Sequence, residues 1–258
     1  MVTWFEQFQQ ELKLQNLPAF YSFSFVPQVD STNRVAMEWG KQGEKEGKIC
    51  LALSQTAGQG RLGRTFYSPR GSGLYFSLLL TPSSPEAGLL ITAAAGVAMA
   101  KAVEQTGVKA SIKWVNDIMV NNRKVCGILA KGGTEQNRSF VVLGVGVNLC
   151  PPKEGFPGEL TGVAGSVFSA LPSSQTAANL LACFLKEFYS YYQDLKAKAY
   201  LQEYQNRNWL KGKTVTAGAV TGEVTGIDEE FRLLVTDDMG KEHPIFAGEV
   251  TLGTKNLV

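Results

Sequence analysis

A segment rich in glycine and arginine, SQTAGQGRLGRTFYSPRGSGLYFSLLL (residues 54–80), holds the side chains of this chain best suited to chemistry. No acidic residue occurs from Gly47 to Pro85, whereas Lys48, Arg61, Arg64 and Arg70 all do. Glycines 58, 60, 63, 71 and 73 allow the backbone to turn tightly and approach a ligand. Guanidinium groups grip phosphate or carboxylate oxygens in pairs. The combination predicts a loop that surrounds a small anion.

Gly58, Gly60 and Gly63 also spell G-x-G-x-x-G, the dinucleotide-binding fingerprint. That motif requires a helix whose N-terminus points at a pyrophosphate. Here Arg64-Thr65-Phe66-Tyr67-Ser68-Pro69 follows, with poor helix formers and a proline, so the reading is rejected. A phosphate-binding P-loop is excluded because no Gly-Lys-Ser/Thr follows a glycine loop. The single histidine, His243, removes multi-histidine metal sites, and it reads as an ordinary surface residue. The four cysteines (50, 126, 150 and 183) form no C-x-x-C pair and read as free thiols of a reducing compartment. Any nucleophile must then come from the substrates.

The positioning elements follow from periodicity and turn signals. Thr3 and Glu6 have capping-box spacing for a first helix. A strand over 23–26 leads to Asp30-Ser31-Thr32-Asn33, read as a helix N-cap. Strands over 49–54 and 74–80 flank the glycine loop, and the alanine-rich run 90–105 reads as a helix. Further strands are predicted over 111–114, 118–120, 124–131 and 139–149, with Asn121-Asn122 as a hairpin turn. Residues 151–165 read as a loop, and helices follow over 174–195 and on to about 208. From Gly212 onward, short alternating segments (214–216, 222–226, 232–236, 245–246) suggest a small β-barrel. The expected division is a main domain over 1–210 and a small β domain over 211–258.

Composition bounds the class. The 258 residues are 44% hydrophobic and 19% charged, with a net charge of +2. That suits an ordinary globular protein, not a dedicated nucleic-acid binder, whose positive excess is larger and clustered. The N-terminus, MVTWFEQFQQELK, lacks the apolar core of a secretory signal, and the run 89–100 is too short to span a bilayer. A cytoplasmic location with no membrane partner is expected.

Two further motifs complete the pattern: Lys113-Trp114-Val115-Asn116-Asp117-Ile118 with Arg123-Lys124-Val125-Cys126-Gly127-Ile128-Leu129, and Gly144-Val145-Gly146-Val147-Asn148. With the glycine loop, residues 30–149 resemble the catalytic domain of biotin protein ligases, also called biotin–[acetyl-CoA-carboxylase] ligases. That family carries G-R-G-R-x-G-R, then K-W-P-N-D, R-K-[LV]-x-G-I-L and G-x-G-x-N, in this order and spacing. Two positions depart from it: Gln59 stands for the commoner arginine, and Val115 for the usual proline. The resemblance implies an α+β fold, a mixed sheet packed with helices like that of class II synthetases, followed by a small SH3-like barrel.

It also implies the chemistry. Biotin and ATP, with Mg2+, form biotinyl-5′-AMP, and biotin then passes to a lysine of a biotin carboxyl carrier protein domain. No tightly bound prosthetic group is expected, and no metal ligands are assigned. By resemblance, Ser31, Thr32, Asn33 and Gln55 take the ureido ring or line its pocket, and Gln59, Gly60 and Arg61 take the carboxyl and phosphate region. Gly58, Arg61, Arg64, Lys113, Asn116 and Asn148 are assigned to ATP or the adenylate. Arg61, Lys124 and Asp117 carry the reaction: Lys124 contacts the reacting carboxylate and phosphate, and Asp117 lies on the approach of the acceptor lysine. The mixed anhydride is water-sensitive, so residues 54–70 are expected to be mobile without ligand and ordered with it. Cys126, without a neighbouring base in sequence, is expected to be a core thiol.

Rival readings are a lipoate or octanoate–protein ligase of the same fold, and a non-catalytic protein that binds anions or single-stranded nucleic acid. About 29 residues precede Asp30, too few for the DNA-binding domain of repressor-type relatives, so no DNA partner is expected. A monomer or a homodimer is equally compatible with the sequence.

Overall fold

The computed structural model describes residues 2–84, 87–246 and 248–252. Helix α1 (Trp4–Lys13) begins at the capping box seen in the sequence: Thr3 Oγ1 accepts from the Glu6 amide, and Glu6 accepts from the Thr3 amide. Seven strands form one sheet in the order β1-β2-β3-β7-β6-β5-β4. They are β1 (Ser22–Val26), β2 (Lys48–Ala52), β3 (Gly73–Leu80), β4 (Ser111–Lys113), β5 (Asp117–Val120), β6 (Arg123–Glu135) and β7 (Arg138–Asn148). The β1–β2 pair is parallel and the others are antiparallel, so the sheet is mixed as expected.

Helix α2 (Thr32–Gln42) covers one face, where Ala36, Leu79, Phe140 and Val142 form a small cluster. The other face carries α1, α3 (Gly88–Glu104) and α4 (Ser174–Tyr192). Its alanine-rich sequence leaves α3 with no polar face over Ile91–Ala100, and this run is buried in the main core. Leu180, Leu181, Phe184, Leu185 and Phe188 of α4 form the predicted stripe against it.

The helices after Ser174 differ from expectation. α4 stops at Tyr192; a 3-10 turn over Leu195–Ala197 follows, then α5 (Leu201–Asn206). Asp194 caps that turn through the Ala197 amide, and Lys198 has a left-handed backbone (φ 50°) that breaks the helical path. The Asn121-Asn122 turn matches its prediction, both residues taking positive φ (49° and 60°) as a type I′ hairpin requires.

A second, antiparallel sheet of five strands has the order β11-β10-β9-β8-β12. Its strands are β8 (Thr214–Ala217), β9 (Val220–Ile227), β10 (Leu233–Thr236), β11 (Glu242–Ile245) and β12 (Val250–Leu252). β12 has no counterpart in the sequence reading, and Phe246, expected in a strand, lies beyond β11 with its ring exposed. His243 is not a free surface residue. It is partly buried, with Nε2 2.7 Å from Asp237 Oδ2, and this bond holds the Asp237 carboxyl below its ordinary pKa.

Candidate active site

The glycine loop, the start of α2 and one end of β5, β6 and β7 enclose a cavity of about 300 Å³, in the size range of small-molecule sites. Its polar end is built from α2 and the residues beneath it. Gln55 Oε1 accepts from the Thr32 amide (2.8 Å) and the Thr32 hydroxyl (3.1 Å), while Gln55 Nε2 donates to Ser68 Oγ (3.0 Å). Thr32 and Asn33 are buried although polar. The Asn33 amide lies flat on β7, where a Cβ at Gly144 would come within 2.1 Å of Asn33 Oδ1. A side chain at 144 is therefore incompatible with Asn33 in this place. Ser31 stands at the N-cap of α2 as expected, but its side chain makes no capping bond, and its Oγ is buried without a partner.

The other end is cationic. Arg61 Nη1 donates to Asn116 Oδ1 (3.1 Å) and Nη2 to the Gly248 carbonyl (3.2 Å). Asn116 is fixed in turn by its Nδ2, which donates to the Ile128 carbonyl at 2.8 Å. Lys124 Nζ lies 2.7 Å from Asp117 Oδ1, with side chains 30% and 20% exposed. The two groups form an ion pair that holds the Asp117 carboxylate beside the Lys124 ammonium. Phe66 lies against the glycine floor of β6 and β7, where a Cβ at Gly146 would stand 2.5 Å from its ring. Lys124 Nζ is 5.8 Å from the centre of that ring.

Two contacts hold this end to the rest of the molecule. Trp114 Nε1 donates to the Phe231 carbonyl (2.8 Å), and Tyr204 Oη donates to the Val115 carbonyl (2.9 Å). The peptide between Trp114 and Val115 is cis. Arg64 Nη2 pairs with Glu249 Oε1 at 2.5 Å, so the loop before β12 reaches back to the glycine loop.

Of the residues singled out from sequence, Thr32, Asn33, Gln55, Gln59, Gly60, Arg61, Arg64, Lys113, Asn116, Asp117, Lys124 and Asn148 border the one cavity. Asn148 is also a brace, its Nδ2 donating to the Gly165 carbonyl at 2.9 Å. Ser31 and Gly58 do not border it. Gly58 lines a separate hollow behind the loop, and a Cβ there would meet the Phe66 carbonyl at 2.4 Å. Sequence reasoning gave no site role to Phe66, or to Phe156, Leu160 and Val163, which line the cavity from the loop predicted over 151–165. The aromatic in Thr65-Phe66-Tyr67, set between a cationic loop and a buried strand, was the available signal. Cys126 is fully buried, and burial pushes its thiol pKa far up, so it is a core thiol as expected. Among the described residues no group of three or more His, Cys, Asp or Glu is placed to hold a metal, and no helix is long and apolar enough to cross a membrane.

An enclosed cationic end suits the meeting of two anions, and an ordered amide and hydroxyl network suits a small polar ring. Residues 25–148 match the biotin/lipoate A/B protein ligase family. The bifunctional ligase/repressor BirA of Bacillus spizizenii is 31% identical over 237 residues, covering 87% of this chain and 72% of that protein. The biotin–[acetyl-CoA-carboxylase] ligase of Mycobacterium tuberculosis is 29% identical over 248 residues, covering 87% and 86%. The biotin protein ligase of Aquifex aeolicus, solved in complex with biotin and ATP, superposes with a TM-score of 0.75 at 26% identity, covering 91% of this chain and 99% of that one. The chain belongs to the biotin/lipoate A/B protein ligase family, and within it to the biotin protein ligases.

Proposed function

We propose that the protein joins biotin to ATP, forming biotinyl-5′-AMP and pyrophosphate, and then transfers biotin to a lysine of a biotin carboxyl carrier protein domain, releasing AMP. The observation that carries this reading is the convergence of Arg61, Asn116, Lys124 and Asp117 at one end of a cavity whose other end is the Thr32–Gln55 network. In the first step a carboxylate oxygen attacks the α-phosphorus and pyrophosphate leaves. Both reactants are anionic, so positioning and charge neutralisation lower the barrier. Lys124 and Arg61 serve the reacting carboxylate and phosphate, and Mg2+ enters as the counter-ion of substrate ATP. Phe66, with Phe156, Leu160 and Val163 from the 151–165 loop, covers the adenylate against water.

In the second step the acceptor amine attacks the acyl carbon and AMP leaves. A lysine amine has a reference pKa of about 10.4 and must lose a proton first. Asp117, paired with Lys124 at the cavity wall, accepts from and orients the incoming amine. The free cysteines and the need for ATP fit action in the cytoplasm.

Biotin-dependent exchange of labelled pyrophosphate into ATP tests the first step. Exchange with biotin but not with lipoate or octanoate is expected. Exchange with lipoate alone would move the protein to the lipoate branch of the family.

A further inference from the structure

Strand β3 reads GLYFSLLL, and every residue in it is buried. Its two hydroxyls are unfavourable in such a run unless they are hydrogen-bonded; that of Tyr75 donates to the Pro69 carbonyl at 3.2 Å, leaving Ser77 to account for. Alternation along the strand decides where it points. Phe76 and Leu78 belong to the main core, whereas Leu79 packs beneath α2. Ser77 therefore faces α2, and its Oγ lies 2.8 Å from Thr32 Oγ1 and 2.7 Å from Asn33 Oδ1.

The protons of this cluster can be assigned from donor capacity. A carboxamide oxygen only accepts, so the Ser77 proton goes to Asn33 Oδ1. The Thr32 hydroxyl then donates to Ser77 Oγ or to Gln55 Oε1. With its oxygen held by Ser77, the Asn33 amide has its Nδ2 left over, and that atom has no protein partner among the described residues. Thr32, Asn33 and Gln55 border the cavity, whereas Ser77 stands behind them.

We propose that Ser77 is a positioning residue for ligand recognition: by holding Asn33 Oδ1 and Thr32 Oγ1 from behind, it turns the Asn33 amide nitrogen to donate into the cavity. The matching ligand chemistry is a carbonyl acceptor on a small polar ring, which the cyclic urea of biotin supplies. This rests on the functional reading above and adds a residue that touches no substrate.

The test is steady-state biotin transfer by the full chain with Ser77→Ala, Ser77→Thr and Asn33→Ala, with melting temperatures recorded. Ser77→Ala is expected to raise the biotin KM about tenfold, the scale of one buried hydrogen bond. The ATP KM and the kcat at saturating biotin should move less than threefold. Ser77→Thr, which keeps the hydroxyl, should recover most of the loss. In an Asn33→Ala background, Ser77→Ala should cost little more, because the two act as one unit. An unchanged biotin KM in Ser77→Ala, or equal losses toward biotin and ATP, would overturn the proposal while leaving the functional reading intact. Wild-type protein that labels no carrier with biotin would overturn both.

Discussion

Lys124 and Asp117 face each other across the β5–β6 hairpin, and the proposed reaction gives each a different task. In the proposed reaction Lys124 supplies charge to the adenylation step, while the Asp117 carboxylate serves the amine that arrives later. Asp117→Asn should therefore lower biotin transfer by roughly a hundredfold or more, within the span of one positioned acid–base group. Pyrophosphate exchange should fall much less, and rapid-quench measurement of the two steps would separate them. Undiminished transfer by Asp117→Asn would reject its role. Lys124 was legible in the sequence as a charge in an apolar strand, and Asp117 through the family motif that Lys113–Asp117 resembles. Ser77 and Phe66 were not. A lone serine in GLYFSLLL looks like a tolerated small residue until the fold shows which neighbour it meets.

At the scale of elements, the proposed reaction asks the glycine loop both to close and to open. The structure gives it two holds on the segment before β12, Arg61 to the Gly248 carbonyl and Arg64 to Glu249. The Arg64 and Glu249 side chains are 66% and 43% exposed, so the pair contributes less than about 1 kcal/mol and can be released by a ligand. Limited proteolysis of residues 54–70 should slow when biotin and ATP are added. Glu249→Gln should speed cleavage of the unliganded loop by a fewfold, and equal cleavage in all four conditions would contradict this account of the loop. Sequence chemistry placed the loop and excluded a helix after Gly63, and no helix forms between Arg64 and β3. It did not show what the loop leans on, since Gly248 and Glu249 lie some 185 residues away and only tertiary packing brings them near.

For the molecule as a whole, the second sheet acts as a buttress for the site. Phe231 is fully buried, stacks on Tyr200 with ring centres 5.5 Å apart, and offers its carbonyl to Trp114 beside Asn116. Phe231→Ala should cost about 3–5 kcal/mol, as removal of a buried aromatic ring does, and calorimetry should record a clear fall in melting temperature. The seven strands of the main sheet were readable from periodicity and turn residues, and its mixed topology only from the family resemblance. The missing β12 was not, because a three-residue strand carries no period and exists only through its pairing with β8. The central claim is that one cavity activates biotin with ATP and passes it to a carrier lysine. Its most direct test is labelling of a purified biotin carboxyl carrier domain with biotin, ATP and Mg2+, read by streptavidin binding, for the wild type and Lys124→Ala. The account predicts ATP-dependent labelling by the wild type and a loss of roughly a hundredfold or more in the variant. Equal labelling by both proteins, or labelling that needs no ATP, would contradict it.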